Sequence, residues 1–389
     1  MVKTANIVGA GVGGLTAAIA LAQRGISVRV FEQAAEMVEV GAGLQLSPNA
    51  MKVFCALGLD EALHAVSFAP EHAVIKDGST GHAYVKIPLK DGAKEAYGGS
   101  YLHVHRTDLH RILQKEAARL GVASHLNTPV HSYDENGFLG LSRADISVAA
   151  DGIRSSHALQ MNITQSPKFT GQVAWRGAVP ADHLPRNLIS PDATVWTGAG
   201  KHLVTYFVRG GALVNFVAVE ERNNWTDPNW TQPGDVEVLR ASFEGWHPTV
   251  TTLLNVAREV NIWALYDKPV LDRWSDGSVA LLGDSCHPTL PFVAQGAAMA
   301  IEDAYVLAVC LDGVDDVPQA LERYEMLRKP RTAMLQTRAR RNADMFHYRG
   351  PAGGLVSRAK LHIARMLPTK LVMKPFNSIY SYNATEVVN

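Results

Sequence analysis

The first forty residues alternate between short apolar runs and a glycine-rich turn. Residues 5–8 predict a buried strand, which leads directly into Gly9-x-Gly11-x-x-Gly14. An Ala-, Leu- and Ile-rich stretch at residues 15–24 predicts a helix, and the alternating residues 27–31 predict a second strand that ends at Glu32. Strand, glycine turn, helix, strand and acid, in this order, are typical of a unit that binds a dinucleotide. The pattern does not distinguish FAD from NAD.

The residue types in this turn suit a pyrophosphate. Gly9 permits a tight turn, Gly11 lets the backbone approach the phosphates, and Gly14 lets the helix pack closely on the strand. The helix N-terminus adds free N–H groups and the positive end of a dipole. Glu32 can accept hydrogen bonds from ribose hydroxyls and would repel a 2′-phosphate.

Two more predicted strands end in Gly and Asp. Residues 145–150 lead into Asp151-Gly152, and residues 278–282 lead into Gly283-Asp284, ahead of an apolar helix predicted near residues 299–311. Each Gly–Asp pair by itself is best explained as an ordinary turn. Because ligands of open α/β sheets bind beyond the carboxyl ends of strands, three such ends favour one extended ligand bound in pieces. No second G-x-G-x-x-G follows a strand, so a separate nicotinamide domain is not predicted.

The middle of the chain changes to short strand-like runs. Residues 201–208 and 212–219 predict two strands of an antiparallel sheet, joined by a hairpin turn at residues 209–211. His202 and Tyr206 are four apart on the first strand, and with a period of two they point to the same face. Such a pair could orient and deprotonate a phenol. On spacing alone, a surface histidine and a packed tyrosine remain the favoured interpretation.

Composition excludes several classes of function. The 389 residues carry 37 Lys and Arg against 37 Asp and Glu, and this zero net charge argues against a nucleic-acid binder. No apolar run approaches the roughly 18 residues that span a bilayer, so no membrane contact is expected. The cysteines Cys55, Cys286 and Cys310 lie far apart, and neither a disulfide framework nor a metal site is predicted. A cytoplasmic protein is the default expectation.

The charged stretch near the C-terminus has a simple interpretation. Pro330 interrupts the helical pattern that precedes the basic residues 328–341, and we expect a solvated helix face there.

The neighbouring Cys286 and His287 lack a third group that would orient a catalytic pair. Both are therefore interpreted as structural.

Taken together, these motifs resemble the single-component FAD-dependent aromatic hydroxylases, specifically the salicylate, 3-hydroxybenzoate and 6-hydroxynicotinate monooxygenase branch. The resemblance covers nearly the whole chain, and the order and spacing of its motifs are specific. The residues that carry it are Gly9-x-Gly11-x-x-Gly14, Glu32, residues 41–49 (GAGLQLSPN), residues 105–110 (HRTDLH), Ala150-Asp151-Gly152, Trp175-Arg176-Gly177 and the block from Gly283-Asp284 to Glu302-Asp303.

The resemblance implies an α/β fold of three parts. A Rossmann-type FAD-binding domain, with a parallel sheet flanked by helices, would hold an inserted antiparallel-sheet substrate domain, and a C-terminal helical region would follow. The implied FAD-binding domain comprises residues 1–70, 98–168 and 266–345. The implied substrate-binding domain comprises residues 71–97 and 169–265, and the C-terminal helical segment comprises residues 346–389.

The resemblance also implies roles for individual residues. His202 and Tyr206 become the expected catalytic pair, with His202 as the base and Tyr206 bonded to the same substrate oxygen. The implied substrate pocket includes Pro291, Phe292 and Gln295. The implied FAD-binding residues are Gly9, Gly11, Gly14, Glu32, Gln45, Arg106, Asp151, Asp284, Gly296 and Ala297.

The implied activity is hydroxylation of a small hydroxybenzoate- or hydroxypyridine-carboxylate-like ring. NADH or NADPH would reduce FAD, O₂ would add at flavin C4a, and the resulting hydroperoxide would hydroxylate the ring, with or without decarboxylation. A FAD-dependent dehydrogenase without oxygen insertion and a non-catalytic flavin-binding protein remain alternatives. The expected partners are the aromatic substrate, O₂ and NAD(P)H, and the expected assembly is a monomer or homodimer.

The sequence departs from the resemblance in three places, and the third is Ala149, which replaces a usual glycine. The segment between Asp108 and Asp145 is several residues short, which predicts a trimmed hairpin. After Asp151-Gly152, the stretch Ser155-Ser156-His157-Ala158 lacks the usual basic residue at its end. The second departure concerns the nicotinamide-linked role of that loop more than FAD binding.

Overall fold

The computed structural model describes residues 1–37, 43–162, 167–222, 225, 231–348 and 369–387. Gly41 and Ala42 of the motif above, and residues 349–368 of the C-terminal segment, lie outside this part of the chain. Within it, no helix combines the length and the apolar character needed to cross a membrane.

The described strands are numbered in chain order. They are β1 Thr4–Val8, β2 Ser27–Phe31, β3 Gly43–Leu46, β4 His72–Asp77, β5 Ala83–Pro88, β6 Leu102–His105, β7 Ala123–His125, β8 Tyr133–Asp134, β9 Gly137–Phe138, β10 Ile146–Ala149, β11 Lys168–Pro180, β12 Ala193–Ala199, β13 Lys201–Val208, β14 Leu213–Glu221, β15 Thr231–Gly234, β16 Val260–Asp267, β17 Ser275–Asp276, β18 Val279–Leu281 and β19 His347–Tyr348.

The described α-helices follow the same convention. They are α1 Val12–Ala22, α2 Pro48–Ala56, α3 Asp60–Val66, α4 Lys90–Tyr97, α5 Arg106–Arg119, α6 Ser156–Met161, α7 Val236–Ser242, α8 Pro248–Val256, α9 Gly296–Leu311, α10 Val317–Phe346 and α11 Thr369–Tyr380. Short 3₁₀ turns occupy Ala181–His183, Arg209–Gly211, Gly283–Ser285 and Pro291–Val293.

The first sheet is a six-stranded, mostly parallel sheet. Its order is β17-β18-β10-β1-β2-β7, and only the β17–β18 pair at its edge is antiparallel. Strand β1 therefore lies between β2 and β10, so the chain leaves it in opposite directions along the sheet. A ligand crevice forms at such a point of reversal, beyond the carboxyl ends of the two strands. The ends of β1 and β10 are followed by Gly9 and Ala150.

Helix α1 is largely buried, as its apolar sequence favours. Nine of its residues are buried, and it packs against α5 and α9. A Cβ built at Gly13 would lie 2.8 Å from Leu282 Cδ2 and 3.2 Å from Ala300 Cβ. The glycine thus lets α1 lie close to α9 and to the end of β18.

The second sheet has nine strands and is mainly antiparallel. Its order is β15-β16-β11-β14-β13-β12-β4-β5, with β19 paired to the end of β12. The predicted hairpin is present as β13 and β14, which pair antiparallel from Lys201–Glu220 to Val208–Leu213. One outer face packs on α7 and α8 through a core that contains Trp175, Phe216 and Leu253. The opposite face is turned towards the first sheet.

The structure corrects the expectation for Pro330 and the basic stretch. Helix α10 continues through Pro330. Proline removes a hydrogen bond to the residue four positions earlier, here Met326, which is 68% exposed, so water can bind that carbonyl instead. Arg328 and Arg331 are buried, and both form ion pairs with Glu302 of α9. The net charge of the chain could not predict that these two arginines are buried, because their burial depends on packing against α9.

Candidate active site between the two sheets

The glycine turn after β1 is held by close backbone packing. Gly9 has φ +99°, and a Cβ there would lie 2.3 Å from the carbonyl oxygen of Ala150. A Cβ at Gly14 would lie 2.0 Å from the carbonyl oxygen of Gly9. Gly11 is the N-cap of α1. The turn therefore brings the N-terminus of α1 to the edge of the crevice.

Glu32 fixes the same turn from β2. Its Oε2 accepts a hydrogen bond from the Ala10 N–H at 2.8 Å, and its Oε1 accepts one from the Ala34 N–H at 2.9 Å. A carboxylate can accept more than one bond at each oxygen. Glu32 can therefore orient the loop and still bind ribose hydroxyls in the groove that it lines.

Asp151 lies in a small polar cluster after β10. Its Oδ2 is 2.8 Å from His157 Nδ1, and its Oδ1 accepts a hydrogen bond from Ser285 Oγ at 3.0 Å. Burial by itself would raise the pKa of Asp151, but the bonds from His157, Ser155 and Ser285 hold the pKa below its ordinary value. The loops after β10 and β18 are thus joined by an ionised carboxylate.

The loop after β18 opens onto a second wall of the crevice. Asp284 lines this wall and is exposed to the crevice. The protein on its other sides desolvates the carboxylate and raises its pKa, while His287 and Arg106 oppose that rise. Helix α9 begins twelve residues after Asp284, at Gly296, which lines the same wall together with Ala297.

The crevice consists of two connected compartments. The outer compartment has a volume of about 840 Å³ and contains Gly9, Glu32 and Asp151. The inner compartment has a volume of about 330 Å³ and contains Gln45, Asp284, Gly296 and Ala297. Gly11, Arg106, Ala150 and Gly152 line both compartments. An elongated ligand with a phosphate-rich middle suits this arrangement, because Arg106 and the N-terminus of α1 lie where the compartments meet.

One face of the second sheet closes the inner compartment. On β13 the lining residues are His202, Val204 and Tyr206, which follow the alternation of the strand. The neighbouring lining residues are Val217 and Val219 of β14 and Arg176 of β11, and the register places Val204 beside Val217 and Val217 beside Arg176. The wall is thus largely apolar, with three polar side chains.

His202 is buried and held through one ring nitrogen. Its Nδ1 lies 2.6 Å from Nε2 of His347. The rings of Phe292 and Phe346 lie 5.6 and 5.3 Å away, measured between centroids. Burial, together with the neighbouring His347, lowers the pKa of His202 well below its ordinary value of 6.5. His202 is therefore a neutral imidazole at neutral pH.

Tyr206 is packed between two other strands. A Cβ at Gly43 of β3 would lie 2.5 Å from its Cε2 and 2.8 Å from its hydroxyl oxygen, so β3 passes directly beside the ring. The ring of His103 lies 4.5 Å away. Burial raises the pKa of Tyr206, although the charge of Arg176 opposes the rise. Tyr206 therefore keeps its proton at neutral pH.

Arg176 brings positive charge to the same wall. It lines the inner compartment, and its guanidinium lies 5.0 Å from the ring centroid of Trp263. Burial lowers its pKa from 12.5, and an arginine with such a shift remains charged near neutral pH. A cation at this position favours an anionic group in the compartment.

Comparison with protein families identifies the cofactor. The family described as FAD binding domain matches residues 1–339. The chain belongs to this family. The prediction of FAD as the cofactor is thereby confirmed, and the solved HpxO protein of Klebsiella pneumoniae, a relative of 26% identity, contains FAD.

Named relatives of this flavoprotein act on substituted aromatic rings. A 3-amino-4-hydroxybenzoate 2-monooxygenase from Streptomyces cremeus is 39% identical over 350 residues, which cover 88% of this chain and 87% of the relative. A 6-hydroxynicotinate 3-monooxygenase from Pseudomonas fluorescens is 36% identical over 345 residues, which cover 85% and 88%. The resemblance to aromatic monooxygenases is confirmed.

Solved structures confirm the predicted fold class. Salicylate hydroxylase in a substrate complex superposes with a TM-score of 0.81 at 25% identity, over 99% of this chain and 97% of that one. Klebsiella pneumoniae HpxO, complexed with FAD and uric acid, gives a TM-score of 0.84 at 26% identity, over 97% and 96%. The parallel-sheet domain, the second sheet and the C-terminal helices are shared.

Most of the predicted cofactor residues of the flavoprotein meet at the crevice. Gly14 is the exception, since it lies beneath the turn against Gly9 and supports the turn from behind. The other nine line one or both compartments: Gly9, Gly11, Glu32, Gln45, Arg106, Asp151, Asp284, Gly296 and Ala297. Gln45 is itself oriented, because its Oε1 accepts a hydrogen bond from the Tyr101 hydroxyl at 2.7 Å.

The predicted substrate residues are only partly brought together. His202, Tyr206 and Pro291 line the inner compartment, whereas Phe292 and Gln295 are not among its lining residues. Phe292 packs behind His202. Gln295 is buried, accepts a hydrogen bond from Asn49 and donates one to Ser47. Both side chains point into the protein, and their place beside the substrate stays a prediction.

Three residues of the site were not assigned from the sequence. Arg176 belongs to the Trp-Arg-Gly motif but received no role, and His347 had no local pattern around it. Asn215 of β14 accepts a hydrogen bond from the Gly43 N–H at 2.7 Å and so holds β3 against the second sheet. Alternation on β14 would have placed Asn215 on the same face as Val217, which was the available signal.

Proposed function

We propose that this flavoprotein is an NAD(P)H- and O₂-using monooxygenase that hydroxylates a small aromatic ring carrying a hydroxyl and a carboxylate. The observation that carries the proposal is that His202 and Tyr206 lie on the same wall of the inner compartment, on either side of Val204 along β13. The names of the relatives, which include hydroxybenzoate and hydroxynicotinate monooxygenases, support the same substrate class.

The chemistry of each wall residue suits this substrate. His202 is neutral, so its free Nε2 can accept the proton of a ring hydroxyl. Tyr206 keeps its proton and can donate a hydrogen bond to the oxygen that loses it. Arg176 adds a positive charge that favours the anionic ring, and Val204 and Val217 contact its apolar faces. Loss of the hydroxyl proton makes the ring electron-rich and therefore more reactive towards an electrophilic oxygen.

The residues of the crevice fit FAD. Glu32 would bind the adenosine ribose, the N-terminus of α1 and Arg106 the pyrophosphate, and Asp284 the ribityl chain. The N-terminus of α9 would face the flavin ring, where a positive dipole end stabilises the negative charge of reduced flavin. When bound, FAD supplies the redox chemistry, because the flavin can be reduced by NAD(P)H and can then activate O₂. A cytoplasmic location and a monomeric or homodimeric state remain predictions.

The first test measures NADH and NADPH oxidation together with O₂ uptake by the FAD-loaded protein. Hydroxylated benzoates and hydroxypyridine carboxylates form the panel, and products are identified by mass spectrometry. We expect one ring compound to accelerate both rates and to gain one oxygen atom. Accelerated NAD(P)H oxidation without O₂ uptake would instead indicate a dehydrogenase, and bound FAD without any stimulation would refute the enzymatic proposal for this class.

A variant of His202 tests the proposed base. We expect His202→Asn to lower kcat by about 100-fold, the lower end of what a general base contributes, with FAD affinity unchanged. His183→Asn is the matched control, because His183 is exposed on the 3₁₀ turn Ala181–His183. Equal turnover of His202→Asn and the control would contradict the assignment. Both variants are assayed with the ring compound selected from the panel, and FAD affinity is measured by flavin fluorescence.

A further inference from the structure

A line of hydrogen-bonding side chains leads away from His202. Its Nδ1 is 2.6 Å from Nε2 of His347, whose Nδ1 lies 3.2 Å from Nε2 of Gln172 and 4.0 Å from Oε1 of Glu221. The two histidines are buried, whereas the side chain of Glu221 is 28% exposed. The line therefore connects the inner compartment with the protein surface.

The fold positions this line along one face of the second sheet. Gln172 of β11 and Glu221 of β14 are directly paired, and the next paired positions on that face include His202 and Val219. His347 is brought there by β19, which pairs with Gly198 at the end of β12. His347 is thus placed by the end of α10, remote in sequence from the hairpin.

The described side chains around the ring of His202 are mostly apolar. Phe292 and Phe346 flank the ring of His202, and Ala174 and Val219 belong to the same apolar cluster. A titratable side chain near His347 in the described part of the chain is Glu221 of β14, whose Oε1 lies 4.0 Å from His347 Nδ1. From β11 the polar neighbour is Gln172, which is an amide and does not titrate.

His202 cannot store the proton of a substrate. Its burial disfavours an imidazolium, and the pKa of His202 is correspondingly well below 6.5. A proton taken up at Nε2 must therefore be balanced by the loss of the proton at Nδ1. The atom positioned to accept that proton is Nε2 of His347.

We propose that His347 and Glu221 form a proton relay that carries the substrate hydroxyl proton from His202 to solvent. This rests on the proposed hydroxylase function. The substrate O–H bond breaks as a bond forms to His202 Nε2, the Nδ1 proton of His202 passes to His347 Nε2, and the Nδ1 proton of His347 passes to Glu221. The products are a phenolate and a protonated Glu221, which releases its proton to water. Both imidazoles remain neutral and exchange tautomers.

The relay assigns different roles to its members. His202 contacts the substrate, whereas His347 acts through His202 as a positioning residue that also accepts and passes on the proton. The relay starts with His347 protonated on Nδ1, which requires the amide oxygen of Gln172 to face that nitrogen. The amino group of Gln172, which lies 3.2 Å from Nδ1 in the structure, donates to it once the proton has passed to Glu221. The 4.0 Å separation to Glu221 is closed by a small movement of that side chain or by one bridging water.

The test uses the FAD-loaded protein and two probes that differ in hydroxyl acidity. 3-Hydroxybenzoate binds as a neutral phenol and must be deprotonated, whereas 4-hydroxy-3-nitrobenzoate is largely a phenolate already at neutral pH. Formation of bound phenolate is followed by ultraviolet difference spectra, and proton release is followed with an indicator dye in weakly buffered solution. The ring compound selected by the oxygen-uptake panel is examined in the same way.

We expect His347→Gln to slow phenolate formation and proton release by about tenfold or more with the neutral phenol, and to leave binding of the phenolate probe within about twofold. Glutamine keeps hydrogen-bonding groups beside His202 but cannot pass a proton from one ring nitrogen to another. Glu221→Gln, at the surface end of the line, should slow the same steps and recover in concentrated small buffers. His183→Gln serves as the control.

Equal losses for the two probes would show that His347 is merely structural and would overturn the relay. Unchanged proton release in both His347→Gln and Glu221→Gln would also overturn it. These outcomes are distinct from failure of the proposed function, in which no ring compound stimulates O₂ uptake by the unaltered protein.

Discussion

Individual glycines in the crevice are required by contacts with backbone atoms. A Cβ at Gly14 would lie 2.0 Å from the carbonyl oxygen of Gly9, which cannot rotate away as a side chain could. Gly9 itself needs φ +99°, a region that other residues rarely adopt. The fingerprint therefore encodes the shape of the turn before any ligand is bound.

Replacing Gly14 with Ala should displace the turn. We expect the FAD-free protein to lose about 1–3 kcal/mol of its free energy of unfolding, a typical cost of overpacking, and to bind FAD more weakly. Gly296→Ala is the matched control for stability, because its Cβ would make only an ordinary 3.5 Å contact with Thr289. Urea denaturation and flavin fluorescence measure the two effects. Equal stability of the two variants would contradict the packing argument.

Residue types alone did not determine which way side chains near the site point. His202 and Tyr206 were placed on one face by the alternation of a strand, and the structure has both in the inner compartment. Phe292 and Gln295 precede a helix in an irregular segment that has no such period. Their orientation depends on Asn49, Ser47 and His202, which come from distant parts of the chain.

At the level of elements, strand β11 serves two cores at once. Trp175 and Val179 face the core under α7 and α8, whereas Ala174 and Arg176 face the crevice. Gly177 lies on the first of these faces, where a Cβ would come within 2.5 Å of the ring of Phe216. Phe216 is fully buried, so it has little room to move.

This packing makes a prediction about a pair of residues. We expect Gly177→Ala to destabilise the protein by about 1–3 kcal/mol because the methyl group overfills the space at Phe216. Combining it with Phe216→Leu should cost less than the sum of the two single changes, since the smaller side chain leaves room for the methyl group. A double-mutant cycle from thermal or urea unfolding measures this coupling. Strictly additive effects would exclude the contact as the cause.

Element type was predictable where the local pattern was regular. Strand β2 has the predicted bounds, and the apolar helix near residues 299–311 is α9, which begins three residues earlier at Gly296. Helix α10 differed because Pro330 was expected to interrupt it. Packing of α10 against α9 outweighs the loss of one backbone hydrogen bond.

At the scale of the whole molecule, a buried ionic network joins four parts of the chain. Glu302 of α9 accepts hydrogen bonds from Asn49 of α2 at 2.6 Å and from Arg328 of α10 at 2.7 Å. Arg331 also bonds Glu302 and donates to the carbonyl of Ile379 in α11. Because Asn49 also bonds Gln295, the network supports the loop before α9 that borders the crevice.

Removing one charge of this network should be costly. We expect Glu302→Gln to lower the free energy of unfolding by about 3–5 kcal/mol, since the buried arginines lose their counter-charge. Glu116→Gln is the matched control, because Glu116 pairs with Arg119, whose side chain is 66% exposed, and ion pairs with a solvent-exposed partner contribute about 1 kcal/mol or less. Urea denaturation at pH 7 measures both. Similar losses in the two variants would contradict the importance of burial.

The same network predicts how stability depends on pH. Burial opposes the ionisation of Glu302 and Asp303. Arg328 and Arg331 outweigh it at Glu302, His287 and Arg328 outweigh it at Asp303, and the pKa of each carboxylate stays below its ordinary value of 4.5 or 3.8. Their contribution to stability is therefore present above those values and is lost as the pH falls through the lower folded-state pKa. Urea denaturation from pH 7 to pH 3 should show this loss. In Glu302→Gln the loss should be smaller, and an identical pH dependence would refute the assignment.

The sequence by itself determined the dinucleotide fold, the glycine turn, the hairpin and the face shared by His202 and Tyr206. These features depend on local backbone conformation and on the spacing of apolar and polar residues along a strand or helix, both of which neighbouring residues encode. Only the tertiary structure decided that Arg328 is buried, that Gln295 turns inward and that His347 lies beside His202. His347 and His202 are 145 positions apart, and their contact exists only because α10 ends against the second sheet. No local pattern carries such a contact, because it arises from the packing of complete elements.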